Sequence, residues 1–161
     1  MVVCDEAVAA LDVSIQADIL NLFAELQHEF GLTYIFITHN IGVVSHVSDR
    51  IAVMYLGQIV EIGDTETLLA KHLHPYTEAL LSAEPAALPS RMRSEKRIIL
   101  EGELPSPVSP PSGCRFRTRC RLAIDRCANE SPELCEMEAK HWVACHLVKT
   151  AADGNAERET V

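Results

Sequence analysis

The amino-acid sequence predicts an α/β fold with a parallel sheet and helices, followed by a small, irregular, cysteine-rich C-terminal extension. Two observations support this prediction. Residues 1–83 alternate short apolar runs with segments of helical periodicity, as expected of parallel strands joined by helices. Five of the 6 cysteines lie between residues 114 and 145. We expect residues 84–96 to be a linker between the two parts, because proline, alanine, serine and arginine dominate there.

The first elements follow from apolar runs and helix-capping residues. The apolar run 1–4 predicts a strand, and Asp12 or Ser14 is expected to cap a helix that ends at about residue 30, before a glycine. The run 33–38 predicts a second strand, which we expect to be buried on both faces. The predicted core-facing stripe of the helix consists of apolar residues at helical spacing: Ile15, Ile19, Leu22, Phe23, Leu26 and Phe30.

The remaining elements are shorter. In chain order, we expect a helix at about 40–47, a hairpin of strands at 50–56 and 59–62, and helices at about 64–71 and 75–82. Beyond the linker we expect a short strand at 97–101, an extended loop at 104–113 and a disordered polar tail at 149–161. The predicted domains are therefore 1–83 and 97–148.

Composition excludes several classes of protein. The chain has 161 residues, a formal net charge of −9 at pH 7 and 48% hydrophobic residues. This acidic balance argues against a general nucleic-acid binder, whose binding surface is basic. No apolar stretch approaches the roughly 20 residues that cross a bilayer, and the N-terminus lacks a signal-peptide pattern. We therefore expect a cytoplasmic protein.

Polar residues at the ends of the first two strands indicate phosphate chemistry. Asp5 and Glu6 follow the first apolar run, and His39 follows the second. Parallel strands end at the same edge of a sheet, so we expect the three groups to share one crevice. Asp5 would hold Mg²⁺, Glu6 would deprotonate the attacking water, and His39 would hydrogen-bond the phosphate. An acidic pair after a strand is also common as the polar start of a loop, and this alternative stays open.

Longer motifs resemble a known family. Cys4-Asp5-Glu6, Ala10-Leu11-Asp12-Val13-Ser14-Ile15-Gln16 and Ile37-Thr38-His39 resemble the Walker B, D-loop and H-loop of the ATP-binding subunits of oligopeptide and dipeptide ABC importers. Pro110-Pro111-Ser112-Gly113-Cys114-Arg115-Phe116 is similar to the C-terminal extension of the same family. The resemblance covers about residues 1–147.

This resemblance implies the C-terminal half of a P-loop NTPase and a role in coupling ATP hydrolysis to import of di- or oligopeptides. It implies ATP and Mg²⁺ as cofactors, with Asp5 and Asp12 at the nucleotide and Glu6 and His39 as catalytic residues. The implied partners are a second ATP-binding subunit, which would sandwich the nucleotides, and transmembrane permease subunits. These partners would hold the protein at the inner face of the membrane. Relatives carry nickel and other solutes, so the cargo stays open.

Departures from the family pattern limit this expectation. Ala7, Ala9 and Asn40 replace the usual proline, serine and aspartate. No G-x-x-x-x-G-K-[ST] loop, Q-loop or L-S-G-G-Q signature occurs in the sequence. Because a phosphate needs backbone N–H groups and a lysine to hold it, we expect no useful ATP hydrolysis by this chain alone. A non-enzymatic metal-binding or interaction module and a non-functional fragment remain as alternatives.

The cysteine-rich extension predicts a metal site. The spacing lacks paired C-x2-C knuckles, which favours a [4Fe-4S] cluster over Zn²⁺, and some members of the resembled family are associated with such a cluster there. Cys135 is the spare cysteine, His141 and His146 are alternative ligands, and metal-free thiols in a packed domain stay open. The four predicted ligands are cysteines: Cys114, Cys120, Cys127 and Cys145.

Overall fold

The structure, a computed structural model, describes residues 1–83 and 97–148, so the predicted linker and tail lie outside the described residues. The chain divides into two compact units, Met1–Asp49 and Arg50–Val161. This division reflects packing within the chain, whereas the predicted domain limits follow the strand–helix pattern and the composition of the predicted linker, and they stay a prediction.

The first unit is a pair of parallel strands with two helices. Its elements are β1 (Val2–Asp5), α1 (Val13–Phe30), β2 (Tyr34–Ile37) and α2 (Ile41–Val47). The register of β1 and β2 places Asp5 opposite Ile37. The two strands therefore end at the same edge, which is where the candidate catalytic residues follow.

The limits of α1 and α2 agree with their capping signals. Asp12 has the extended backbone of an N-cap residue, and Gly31 ends α1 in the left-handed conformation with φ 61°. The side chain of Asn40 caps α2 by accepting the N–H of Val43 at 3.1 Å. The predicted limits of both helices are confirmed to within about two residues.

The core of the first unit uses only part of the predicted stripe of α1, namely Ile19 and Phe23. Leu20, which is absent from that stripe, is buried, whereas Leu22 and Phe30 are 46% and 62% exposed. The core consists of buried residues and partly buried apolar side chains packed against them: Val8, Leu20, Val43, Ile19, Phe23 and Val47.

The prediction that β2 is buried on both faces is wrong for the described chain. Phe23 of α1 packs against Tyr34 and Phe36, with ring centroids 5.4 Å away in each case. Alternate residues of a strand point to opposite faces, and the other face carries Ile35 and Ile37, which are 45% and 51% exposed. α1 thus covers only one face of this sheet.

The second unit is built on an antiparallel sheet. Its strand order is β3-β4-β6-β5, so the predicted parallel sheet does not describe this unit, although the mixed α/β class is confirmed. The elements are β3 (Arg50–Tyr55), β4 (Gln58–Asp64), α3 (Thr65–Ala70), α4 (Pro75–Ala83), α5 (Asp125–Asn129), β5 (Cys135–Glu138) and β6 (His141–Val143).

The predicted hairpin between β3 and β4 is confirmed. Tyr55 pairs with Gln58, so Leu56 and Gly57 form a two-residue loop. Both loop residues have positive φ, 45° and 77°, which is the backbone conformation that tight hairpins with right-handed strand twist require.

The cysteine-rich part is more regular than predicted and belongs to this sheet. It contributes α5, β5 and β6, and β6 pairs with β4 at Glu61↔Val143 and Ile62↔Trp142. The strand predicted at 97–101 is not formed, because the N–H of Ile98 donates to the Ser82 hydroxyl at 2.9 Å instead of to a neighbouring strand. None of the helices in the described parts of the chain has the length and apolar composition that a membrane span requires.

Candidate functional site

The shared end of β1 and β2 places Glu6 beside His39. The N–H of Glu6 donates to the carbonyl of Ile37 at 2.8 Å, which ties the first residue after β1 to the end of β2. Glu6 has a left-handed backbone with φ 46°, an uncommon conformation for a residue with a side chain. In this arrangement, Glu6 Oε1 lies 3.0 Å from His39 Nδ1.

This contact leaves both side chains accessible. The side chains of His39 and Glu6 are 75% and 55% exposed, so the pair contributes little to stability. A carboxylate that accepts the Nδ1 proton leaves the other ring nitrogen of the histidine free to contact a ligand. The geometry therefore suits an exposed base and a hydrogen-bonding group at one edge of the sheet.

Asp5 and Asp12 are placed differently. Asp5 is the last residue of β1, and Asp12 precedes α1 without a side-chain capping hydrogen bond. Among the described residues, no hydrogen bond or ion pair joins either aspartate to Glu6 or His39. The structure thus brings two of the four predicted nucleotide-site residues into contact, and the roles of all four stay predictions.

Two of the predicted cysteine ligands lie on adjacent backbone segments. The N–H of Cys114 donates to the carbonyl of Cys127 at 2.8 Å. Gly113 allows this approach, because a Cβ at its position would lie 2.4 Å from the Cys127 carbonyl oxygen. Its φ of 64° also favours glycine.

The thiols of the other three predicted ligands act electrostatically on Cys145. Burial is the main cause that raises the pKa of Cys145 to about 11, and a hydrogen bond from the Leu147 backbone opposes the rise. The nearby thiols of Cys120, Cys114 and Cys127 contribute smaller increases to the same value. Burial also raises the pKa of Cys114. Cys135, the predicted spare, is not among the groups that act on Cys145.

These thiols are not gathered into a ready ligand group. Among residues 1–83 and 97–148, no three His, Cys, Asp or Glu side chains stand together as a metal site. Without a bound cation, nothing draws the buried, protonated thiols together, and in their ionised form they would repel one another. The donor chemistry fits a thiolate-bound metal, but the predicted iron–sulfur or zinc site stays a prediction.

The alternative histidine ligands have other partners. His146 Nε2 lies 3.0 Å from the carbonyl oxygen of Glu130, and His141 Nε2 lies 2.8 Å from Glu61 Oε1. His141 is fully buried, so the structure assigns it to the interior of the sheet rather than to a metal.

Glu61 is an important residue that the sequence analysis missed. Its carboxylate is fully buried in β4 and accepts the N–H groups of Leu73 at 2.6 Å and His74 at 3.0 Å, besides facing His141. Although burial opposes ionisation, hydrogen bonds from His141 and its other neighbours lower the pKa of Glu61. A charged residue inside the apolar run 59–62 was the available signal.

Comparisons with known proteins agree with the motif resemblance. Residues 60–127 match the family described as "Oligopeptide/dipeptide transporter, C-terminal region". The chain is 55% identical over 152 residues to the probable peptide ABC transporter ATP-binding protein y4tS of Sinorhizobium fredii, with 94% of this chain and 42% of that protein covered.

Two further relatives are named as oligopeptide transport ATP-binding proteins. AppF of Bacillus subtilis is 51% identical over 147 residues, with 91% of this chain and 45% of AppF covered. OppF of Salmonella typhimurium is 53% identical over 145 residues, with 90% of this chain and 43% of OppF covered. The chain therefore spans less than half the length of these curated relatives. In sequence, it corresponds to the C-terminal portion of the ATP-binding proteins of oligopeptide and dipeptide ABC transporters.

Proposed function

We propose that this chain supplies the water-activating part of an ATPase that drives the import of di- or oligopeptides. The contact between Glu6 and His39 at the shared end of two parallel strands carries this proposal. Glu6 takes the proton of the water that attacks the γ-phosphate. His39, oriented by Glu6, offers its other ring nitrogen to the phosphate oxygens.

ATP and Mg²⁺ are the cofactors of the proposed reaction. Asp5 offers carboxylate oxygens, the ligands that Mg²⁺ prefers, and Asp12 lies at the loop that would face the nucleotide. Carboxylates alone repel a polyphosphate, and this sequence contains no phosphate-binding loop. The proposed activity therefore requires such a loop in addition to residues 1–161.

The proposed partners follow from the names of the relatives, which include a peptide ABC transporter ATP-binding protein and oligopeptide transport ATP-binding proteins. We propose that a second ATP-binding subunit completes the nucleotide sites and that permease subunits carry the peptide. Contact with these permeases would place the protein at the cytoplasmic face of the membrane.

A chimaera tests the proposed activity. Residues 1–161 would replace the aligned C-terminal part of Salmonella OppF in cells that lack OppF, and uptake of a labelled oligopeptide would be measured. We expect uptake to return and to fall by about 100-fold with Glu6→Gln, since this change removes the general base. Glu29→Gln, an exposed change on α1, is the matched control and should leave uptake intact. Equal uptake in the two variants would refute the role of Glu6.

We further propose that a thiolate-bound metal, a [4Fe-4S] cluster in preference to Zn²⁺, cross-links the cysteine-rich part. The action of three neighbouring thiols on Cys145, and of Cys127 on Cys114, supports this proposal, and the metal would offset the charge of the ionised thiolates. The proposed ligands are the four cysteines of this group: Cys114, Cys120, Cys127 and Cys145.

Metal analysis of anaerobically purified protein tests this site. We expect about one cluster per chain, that is, about four iron atoms, and a loss of that iron in Cys145→Ser. Cys135→Ser is the matched control and should keep the metal. About one zinc per chain would identify zinc instead. A protein that contains neither iron nor zinc would refute the site.

A further inference from the structure

We infer that Glu61 is the positioning residue of the cysteine group, because through His141 it fixes the segment that leads to Cys145. This inference rests on the proposed metal site and assigns a role to a residue outside it. The side chains of Glu61 and His141 are both fully buried, each of them 0% exposed.

The carboxylate of Glu61 joins three segments of the second unit. Oε1 accepts the N–H of Leu73 and faces His141 Nε2, while Oε2 accepts the N–H of His74. β4 is thereby linked to the turn between α3 and α4 and to the first residue of β6. Leaving any of these buried donors without an acceptor would cost free energy of folding.

The contacts of β6 extend this link toward Cys145. Val143 pairs with Glu61 in the sheet, and the N–H of Ala144 donates to the carbonyl of Val60 at 2.9 Å. The His141 ring also packs closely on Gly63, where an added Cβ would lie 3.3 Å from the ring. The chain is thus held to β4 up to the residue before Cys145.

An ion pair between the end of α3 and β5 provides a contrast within the same unit. Lys71 pairs with Glu138, and their side chains are 40% and 26% exposed. Water can replace either partner there, so this pair constrains the chain less than the buried one. Glu138→Gln is therefore the matched control for Glu61→Gln.

The test measures the reactivity of individual thiols in the full 161-residue chain without metal. Each variant is treated with a maleimide under conditions in which circular dichroism shows it folded, and each cysteine is followed by mass spectrometry. We expect Glu61→Gln to speed labelling of Cys145 by about tenfold, because an amide cannot accept all three donors and local opening becomes easier. Cys127, which lies in α5 and not on β6, should change less than about threefold.

Three outcomes would overturn the inference. The first is an unchanged Cys145 rate in Glu61→Gln, and the second is the same increase in Glu138→Gln. The third is a parallel increase of Cys145 and Cys127, which would indicate general loosening of the unit. If Glu61→Gln does not fold, His141→Leu and His141→Gln decide the question. The glutamine amide can donate from near the position of Nε2, so His141→Gln should restore slow labelling and His141→Leu should not.

Metal content separates this inference from the proposal on which it rests. If the site binds metal, iron or zinc per chain should fall by about threefold or more in Glu61→Gln and stay unchanged in Glu138→Gln. If no variant binds metal while Cys145 alone becomes reactive, the metal proposal fails and the positioning role of Glu61 stands.

Discussion

At the scale of single residues, the charge on Glu61 is held by hydrogen bonds in an interior that otherwise opposes it. Burial favours the neutral acid, but hydrogen bonds from His141 and two backbone amides outweigh this effect and lower the pKa of Glu61 from 4.5. The ionised form therefore stabilises the folded unit above the ordinary pKa of a glutamate, and this contribution is lost as the pH falls through the folded pKa.

Acid should consequently destabilise the second unit through Glu61. We expect Glu61→Gln to lower the free energy of unfolding at pH 7 by about 1–3 kcal/mol. The variant should also lose less stability than the wild type between pH 6 and pH 3. Trp142 is the single tryptophan of the chain and lies in β6, so its fluorescence in urea reports the unfolding of this unit. Equal losses in the two proteins on acidification would contradict the assignment.

The thiol of Cys145 offers a second prediction at this scale. Burial is the main cause of its raised pKa of about 11, so the thiolate should form only in strongly alkaline solution. In the metal-free chain, its alkylation rate should keep rising up to about pH 11. The alkylation that is absent from the Cys145→Ser protein is the alkylation of Cys145. A rate that levels off below about pH 9 would show that the thiol is more exposed than the structure indicates.

At the scale of elements, local signals were predictable and long-range pairing was not. Asp12 and Gly31 set the limits of α1, and Gly57 set the β3–β4 turn, because caps and turns depend on neighbouring residues. The pairing of β6 with β4 joins residues about 80 positions apart, and no local pattern encodes it. The charge of Glu61 inside an apolar run was a local signal, but its partner could not be predicted, since His141 lies in that distant strand.

The approach of the two cysteine segments gives a prediction for one glycine. Gly113→Ala adds a Cβ 2.4 Å from a carbonyl oxygen at a φ of 64°, which combines a clash with backbone strain. We expect a loss of roughly 2–4 kcal/mol in the free energy of unfolding, followed by Trp142 fluorescence. Gly102→Ala has a similar φ but its nearest contact is 3.5 Å, so it should cost about 1 kcal/mol. Equal losses would remove the argument for a close approach.

At the scale of the whole molecule, the chain carries the residues that we propose for one side of a nucleotide site. The candidate site was predictable where it depends on strand ends, because Glu6 and His39 follow β1 and β2 directly. The separation of the chain into two units was not predictable, since it depends on which apolar faces pack together. In α1, for example, Leu20 lies in the core and Leu22 on the surface, although both are apolar.

The isolated chain should not hydrolyse Mg-ATP. It contains acidic groups for water and metal but no loop that binds phosphate, so turnover should equal that of Glu6→Gln and of a sample without protein. Release of inorganic phosphate at millimolar Mg-ATP measures this. Turnover that disappears in Glu6→Gln would show that these residues form a complete site by themselves.

The position of β6 in the sheet also has a consequence for the newly made chain. His141 and Glu61 are 80 residues apart, and at about 5–20 residues per second a ribosome needs roughly 4–16 s to cover that distance. During this time, the nascent β4 has an open strand edge and a carboxylate without its histidine. Such edges are sites of aggregation, so a chaperone that shields β4 on the ribosome should raise the yield of native protein.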